Sequence, residues 1–273
     1  MKRFGSIKTA LMSCVAAVCV GLFLTGCGSV PLTGRKQMLL VSDQEVYEAG
    51  LTQYKEYMAQ SELSTDAKTT AMVKSVGQKL AEATEKYLRA NGFESDIENL
   101  KWEFNLVKNN EVNAFCLPGG KIVVYEGLFA IAQNEAELAV VLGHEIGHAV
   151  AKHSNERMSQ QILTQYGAAI LSQALSQKSA AVQGVAVNVF GLGAKVGMML
   201  PYSRKHEYEA DYMGIVFMEI AGYDSQSALD FWTKMSAGGG NASDFLSTHP
   251  SDTKRIAQIK SRMPEAKKLA SQY

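Results

Sequence analysis

His144-Glu145-Ile146-Gly147-His148 is the stretch on which the reading of this chain turns. On an α-helix, residues four apart differ by only about 40° around the axis, so both imidazoles can reach one metal ion. Glu145 sits about 100° from His144 and about 60° from His148, on the rim of that face. There it lies beside the metal without being forced to ligate it. Zinc lowers the pKa of a water to roughly 7, and a neighbouring carboxylate can take its proton as the water attacks a peptide carbonyl. The surroundings support this reading. Asn134-Glu135-Ala136-Glu137 reads as a helix start, an Asn N-cap with Glu at the third helical position. The apolar residues that follow (Leu138, Val140, Val141, Leu142, Ile146, Ala149, Val150) would bury the helix. A plain core helix has little reason to carry two His and a Glu along one strip unless a metal satisfies them.

A catalytic metal site wants a third protein ligand and an open fourth position. A Gly and a third His shortly after the motif would mark the metzincin pattern, but Ala151 and Ser154 stand in those places. His153, five residues after His148, points away from the shared face on a continuous helix and reads as a cation near a helix C-terminus. Ser203-Arg204-Lys205-His206-Glu207-Tyr208-Glu209-Ala210-Asp211 is the better source. Glu207 and Asp211 are four apart on one helical face, which suits a carboxylate ligand and an acid that accepts a proton from a ligand imidazole. Glu209 lies on the opposite side, and its i+4 partner is Met213, which cannot play the second part. The alternative for the pair is a solvated charged face.

With these residues in view, the chain resembles the HtpX and CAAX prenyl protease family of zinc metallopeptidases (peptidase family M48), in its periplasmic lipoprotein branch. The resemblance rests on Asn113-Ala114-Phe115 with Pro118-Gly119-Gly120, His144 through His153, Ser203 through Asp211, Thr248-His249-Pro250 and Arg255-Ile256. It covers roughly residues 40 to 260. It implies an α+β, mainly α-helical, zincin-type domain with a small β-sheet beside the motif helix. It also implies one Zn²⁺ per chain, held by His144, His148 and Glu207, with Glu145 as general base, and the spacing from Glu207 makes Asp211 the supporting acid. Asn113, Ala114 and Phe115 would belong to a strand beside the cleft on which an extended peptide can lie. The residues agree that far, since Lys101–Val107, Val112–Leu117 and Lys121–Tyr125 are β-prone runs with Pro118-Gly119-Gly120 as a turn. Pairing along a strand edge would hold a substrate backbone with little side-chain selectivity. His249 is a candidate for the active-site rim, either stabilising the oxyanion or occupying the metal's open position at rest. A lone His before Pro is otherwise an ordinary loop residue.

The N-terminus carries the second signal. Lys2, Arg3 and Lys8 precede an apolar stretch from Ala10 to Leu24 that ends in Leu24-Thr25-Gly26-Cys27. A basic start and a short apolar core read as an export signal, because a membrane span needs about twenty apolar residues. The Cys ending resembles the lipobox of bacterial lipoproteins, in which that Cys is acylated and becomes the mature N-terminus. The expected organisation is a signal peptide over 1–26, a lipidated Cys27 with a tether over 27–40, and one metallopeptidase domain over 41–273. Gly28 after the Cys fits, by analogy with sorting rules, the periplasmic face of an outer membrane. Cys116 would then be the one free thiol, a small buried hydrophobe, and no intramolecular disulfide could form.

The full chain has 27 Lys and Arg against 27 Asp and Glu. Loss of the three basic residues of the signal leaves 24 against 27, and neither balance nor any basic stripe points to nucleic acid. Helices are expected over Asp43–Gln60, Thr65–Ala90, the motif segment, Glu156–Gln177, Gln226–Ser236 and Thr253–Ser261. Gly238-Gly239-Gly240-Asn241 reads as a loop. Ala180–Leu200 is apolar and Gly-rich with polar interruptions, which suits a lid over the cleft; a re-entrant membrane segment is the alternative. The expected activity is hydrolysis of peptide bonds in unfolded or misassembled envelope proteins, with factors of outer-membrane protein assembly or quality control as possible partners. A chaperone-like lipoprotein that holds clients with proteolysis suppressed is the rival from another class. A prenyl-type processing enzyme fits less well, because the multi-span chamber of such relatives is missing.

Overall fold

Buried helices need their first-turn N–H groups satisfied, and Ser42, Asp66, Asn134 and Ser203 each supply a side chain for this. The computed structural model describes residues 27–176, 182, 184–185, 189, 203–237, 243–249 and 253–273. The expected signal segment 1–26, most of Ala180–Leu200 and the Gly238–Asn241 loop lie outside these. The described strands are β1 (Cys27–Ser29), β2 (Lys36–Met38), β3 (Glu103–Val107), β4 (Ala114–Leu117) and β5 (Lys121–Tyr125). The described helices are α1 (Asp43–Gln60), α2 (Ala67–Ala90), α3 (Glu94–Ile97), α4 (Glu135–Val150), α5 (His153–Ser176), α6 (Arg204–Ile220), α7 (Gln226–Ala237), α8 (Ser243–Thr248) and α9 (Thr253–Ala270). The fold is α+β and mainly helical, with a small sheet beside the motif helix, as the resemblance implied.

Ser42 and Glu45 form a reciprocal capping box on α1, and Asp66 accepts the Thr69 N–H on α2. On α4, Asn134 accepts the Glu137 N–H at 2.9 Å, while the Glu137 carboxylate turns back to the Gln133 N–H at 2.8 Å. Ser203 caps α6 through the His206 N–H. Such caps are worth about 1 kcal/mol each and settle where the helices start.

The larger sheet runs β3-β5-β4, with β5 parallel to β3 and antiparallel to β4. Pro118-Gly119-Gly120 makes the β4–β5 turn, and both glycines take positive φ (88° and 76°), where a side chain is strained. One core joins α2, α4, α6, α7 and α9 to one face of this sheet. A second core on the other face gathers α1, Phe115, Val123, Tyr125 and the start of α5. Val182, Val185 and Val189 are buried in that second core, so these three of the Ala180–Leu200 stretch sit within the folded domain.

α4 lies along α6, and glycine permits the close approach. A Cβ on Gly147 would come 2.7 Å from the Ala210 carbonyl oxygen, and one on Gly214 would come 2.9 Å from the His144 nitrogen. Without a side chain at either place the two helices bring their polar faces together.

Two segments differ from the sequence reading. Residues 27–40, expected as a tether, hold a short hairpin in which β1 pairs antiparallel with β2. The last helix runs past Ser261 to Ala270 with Pro264 inside it. Met263, Ala266 and Ala270 are buried there, and Arg262 lies 3.6 Å from the Tyr212 ring centroid, so packing outweighs the one backbone bond that Pro removes. Among the described residues, no helix is long and apolar enough to cross a membrane.

Candidate metal centre

α4 presents His144 and His148 to the same point, and α6 brings Glu207 against them. His249, which follows α8, closes the group. The four donor atoms lie within 4.8 Å of one another and all four residues are buried. His144 Nε2 is 3.0 Å from His148 Nε2, 3.4 Å from Glu207 Oε2 and 3.2 Å from His249 Nδ1. His148 Nε2 is 3.3 Å from Glu207 Oε1, and His249 Nδ1 is 3.4 Å from Glu207 Oε2. Ligands of a tetrahedral zinc ion, at 2.0–2.1 Å from the metal, stand about 3.3 Å apart. These contacts of 3.0–3.4 Å are close to the spacing of zinc ligands. The Glu207 oxygens lie among these groups with no well-formed hydrogen bond, although they are fully buried. Buried carboxylate oxygens facing ring-nitrogen lone pairs are what a cation would satisfy.

Electrostatics suits the same ion. Burial alone would raise the Glu207 pKa, yet the charges of His249 and Arg255 hold it well below the usual carboxylate range. Burial and the neighbouring His144 push His148 well below its ordinary value, so it is a neutral imidazole. Burial and Arg255 act to lower His144, but the hydrogen bond to Asp211 and the nearby Glu207 carboxylate outweigh them and leave it at about 9. The carboxylates therefore draw a positive charge into the site.

Asp211 Oδ1 accepts from His144 Nδ1 at 2.9 Å, which turns Nε2 of that ring toward the cluster. Arg255, on α9, is fully buried and locks Asp211 through Nε at 2.6 Å and Nη2 at 2.8 Å. Its Nη1 is 3.1 Å from Glu207 Oε2, and its guanidinium lies 3.5 Å from the Trp232 ring centroid. The sequence reading quoted Arg255 only as part of a motif. Its direct hold on both acids was missed, because nothing in its local spacing points back to α6.

Glu145 lies beside the cluster. Burial raises its pKa, its Oε1 accepts no hydrogen bond, and the Cys116 backbone N–H meets its carboxylate. His249 Nε2 stands 3.3 Å from Glu145 Oε1. Of the three strand residues singled out, the Asn113 side chain accepts the Ala114 N–H at 2.9 Å. The Phe115 ring points into the second core, edge-on to Tyr57 and Tyr125. Its backbone pairs with Val123 of β5, so Phe115 supports the strand and offers neither side chain nor main chain to a peptide partner. β4 is the edge strand that faces α4, with Cys116 a buried free thiol.

One expectation on the far side of His148 needs correction. α4 ends at Val150, and Lys152 takes φ 54°, so His153 opens a new helix and does not continue the old one. His153 is buried with Nδ1 2.8 Å from His148 Nδ1, and burial first among several causes lowers it to about 4. It is a neutral neighbour of His148 and not a cation near a helix C-terminus. Glu209 lies outside the donor cluster and meets His153 Nε2 at 3.0 Å from α6. Its partner comes from another helix, which i+4 spacing does not encode.

A family model for peptidase family M48 matches residues 67–263. The chain belongs to peptidase family M48. It is similar to the mitochondrial metalloendopeptidase OMA1 of Arabidopsis thaliana, 40% identical over 179 residues, which are 65% of this chain and 35% of the relative. It is also similar to OMA1 of Schizosaccharomyces pombe, 39% identical over 175 residues, 63% of this chain and 50% of the relative. The β-barrel assembly-enhancing protease of Escherichia coli K12 is 26% identical over 276 residues, 97% of this chain and 54% of the relative. The chain thus spans about half or less of the length of these relatives. The M48 family uses zinc, and the His144, His148, Glu207 and His249 cluster fits that ion.

Proposed function

We propose that this chain is a zinc-dependent endopeptidase, anchored to the membrane through an acylated Cys27 and acting on unfolded or misassembled envelope proteins. The single observation that carries the chemistry is the buried set of four donors within 4.8 Å of one another, with contacts of 3.0–3.4 Å among them and the Glu145 carboxylate beside it. His144, His148 and Glu207 would hold the metal. Bound zinc supplies Lewis acidity, polarising the scissile carbonyl and acidifying water. Glu145, buried and with one oxygen free of hydrogen bonds, takes the proton of the attacking water and returns it to the leaving amine. Asp211, clamped by Arg255, keeps His144 Nδ1 protonated so that Nε2 faces the metal. An extended segment lying along β4 would meet the outward-facing backbone of Ala114 and Cys116, next to Glu145.

The one-domain organisation over 41–273, the signal over 1–26 and the periplasmic face of an outer membrane belong to the same proposal. The Leu24-Thr25-Gly26-Cys27 ending supports them, as does similarity to a protease named for β-barrel assembly. The OMA1 relatives are mitochondrial, and the lipobox-like segment favours the envelope reading.

The test compares the full chain with its Glu145→Gln variant for zinc content and cleavage of casein. Zinc in both, with chelator-sensitive cleavage in the parent alone, is expected. Zinc in both with cleavage in neither would favour the second reading, a client-holding lipoprotein with suppressed proteolysis. One observation favours that reading as a resting state. His249 places Nδ1 at the fourth donor position and Nε2 on Glu145, closing both. A His249→Ala variant with raised cleavage supports such closure, a drop supports an oxyanion role, and unchanged activity and zinc affinity exclude both.

A further inference from the structure

The hairpin expected as a tether reaches the metal centre from behind. Arg35, beside β2, places Nε 2.6 Å from Glu209 Oε2, and the Thr33 hydroxyl donates to Glu209 Oε1 at 2.5 Å. The other arm of Arg35 forks onto Glu156 of α5, with Nη1 at 3.0 Å and Nη2 at 2.8 Å. Glu156 also meets His206 Nε2 at 3.0 Å, and the His206 ring stacks on His153 at 4.3 Å. Beyond the hairpin, the Leu40 N–H donates to Ser159 and the Asn155 amide donates to the Val41 carbonyl, both at 2.8–2.9 Å. The stretch from Thr33 to Val41 is therefore fastened along α5 and against α6.

Hydrogen-bond chemistry gives this chain of contacts one direction. If His148 ligates through Nε2, its Nδ1 carries the proton and donates to His153 Nδ1. His153 must then hold its own proton on Nε2, which donates to the Glu209 carboxylate. Glu209 remains an acceptor throughout, which is what the Arg35 and Thr33 donors require.

We propose that Arg35 and Thr33 are positioning residues of the metal centre. They hold Glu209, Glu209 fixes the His153 ring, and His153 fixes the tautomer and orientation of His148. The inference rests on His148 being a metal ligand, as proposed above. Its reach is unusual in sequence, since the outermost members lie more than a hundred residues before the ligand they orient.

The test uses the full zinc-loaded chain, with Arg35→Ala and Arg35→Lys beside the parent. Zinc affinity by chelator competition should fall about 10–100-fold in Arg35→Ala, as for other residues that orient metal ligands. Arg35→Lys keeps the charge without the fork and should recover part of it. Long-range ¹H–¹⁵N spectra of the parent should show His148 protonated on Nδ1 and His153 on Nε2, a signature that a merely structural hairpin would not dictate. His153 protonated on Nδ1, or parental zinc affinity in Arg35→Ala, overturns the proposal. If Arg35→Ala does not fold, the parent's tautomers and the Arg35→Lys affinity decide it. A parent that binds no zinc defeats the metallopeptidase reading, whereas a parent that binds and cleaves beside unaltered variants defeats this inference alone.

Discussion

Replacing Arg255 by Met keeps most of the side-chain volume and removes the guanidinium. Its stem and head are fully buried, and the head holds Asp211 at 2.6 and 2.8 Å and Glu207 at 3.1 Å while lying 3.5 Å from the Trp232 ring. Removing one partner of a buried ion pair costs about 3–5 kcal/mol, and a desolvated cation over an aromatic ring adds about 1–2. Met recovers part of the packing, so a net loss of about 4 kcal/mol is expected. For a chain of this length that is a fall in Tm of about 8–16 °C. The size depends on the metal. Leaving the imidazoles aside, Glu145, Glu207 and Asp211 against Arg255 give the site a charge of about −2, which a zinc ion neutralises. Without Arg255 the metal-free site stands at about −3 and the zinc-loaded one at about −1. Thermal unfolding followed by circular dichroism, with chelator and with zinc, should therefore show the full loss in the metal-free protein and less than half of it in the loaded one. A metal-free variant melting within about 2 °C of the parent would refute the idea that this guanidinium balances the buried acids.

Gly147→Ala puts a methyl group 2.7 Å from the Ala210 carbonyl oxygen, forcing α4 and α6 apart. Overpacking of this kind costs about 1–3 kcal/mol, and zinc affinity should fall with it because the two helices set the ligand spacing; unchanged melting and affinity would contradict this. Glu156 and Glu209 give a pH dependence. Burial acts to raise both, but His206 and Arg35 hold Glu156, and His153, Thr33 and Arg35 hold Glu209, at about 2 against an ordinary 4.5. Their contribution to stability is complete above pH 4.5 and is lost as pH falls toward 2. The gap in Tm between the parent and Glu156→Gln should close over that window, and a gap that stays constant would count against the pairing. Glu145→Gln should lower cleavage by about 10²–10⁴-fold while zinc content stays at one per chain, and cleavage near the parental rate would exclude Glu145 as the base.

The parts of the site that lie on one helix were legible from spacing. His144, Glu145 and His148 share a strip of α4, and Glu207 and Asp211 share a face of α6, because i,i+4 neighbours meet on any helix. A helix limit was legible where a cap residue marks it, as at Asn134. Contacts between elements were not. Arg255 reaches Asp211 across 44 residues, and Arg35 reaches Glu209 across 174, and no periodicity encodes either. His153 was misplaced by assuming that one helix ran through Ala151 and Lys152. Positive φ at a lysine carries no sequence mark comparable to a glycine. The hairpin at Cys27–Met38 escaped notice for a related reason. Its strands are three residues each and draw their stability from docking on α5 and α6, not from their own pattern.

The central claim is the ligand set, and zinc K-edge absorption of the full chain, with metal counted on the same sample, tests it most directly. One zinc per chain with only nitrogen and oxygen neighbours at about 2.0–2.2 Å, at least two of them imidazole, is the predicted result. A sulfur neighbour at about 2.3 Å would put Cys116 or another thiol on the metal and contradict the account, as would a chain that takes up no zinc.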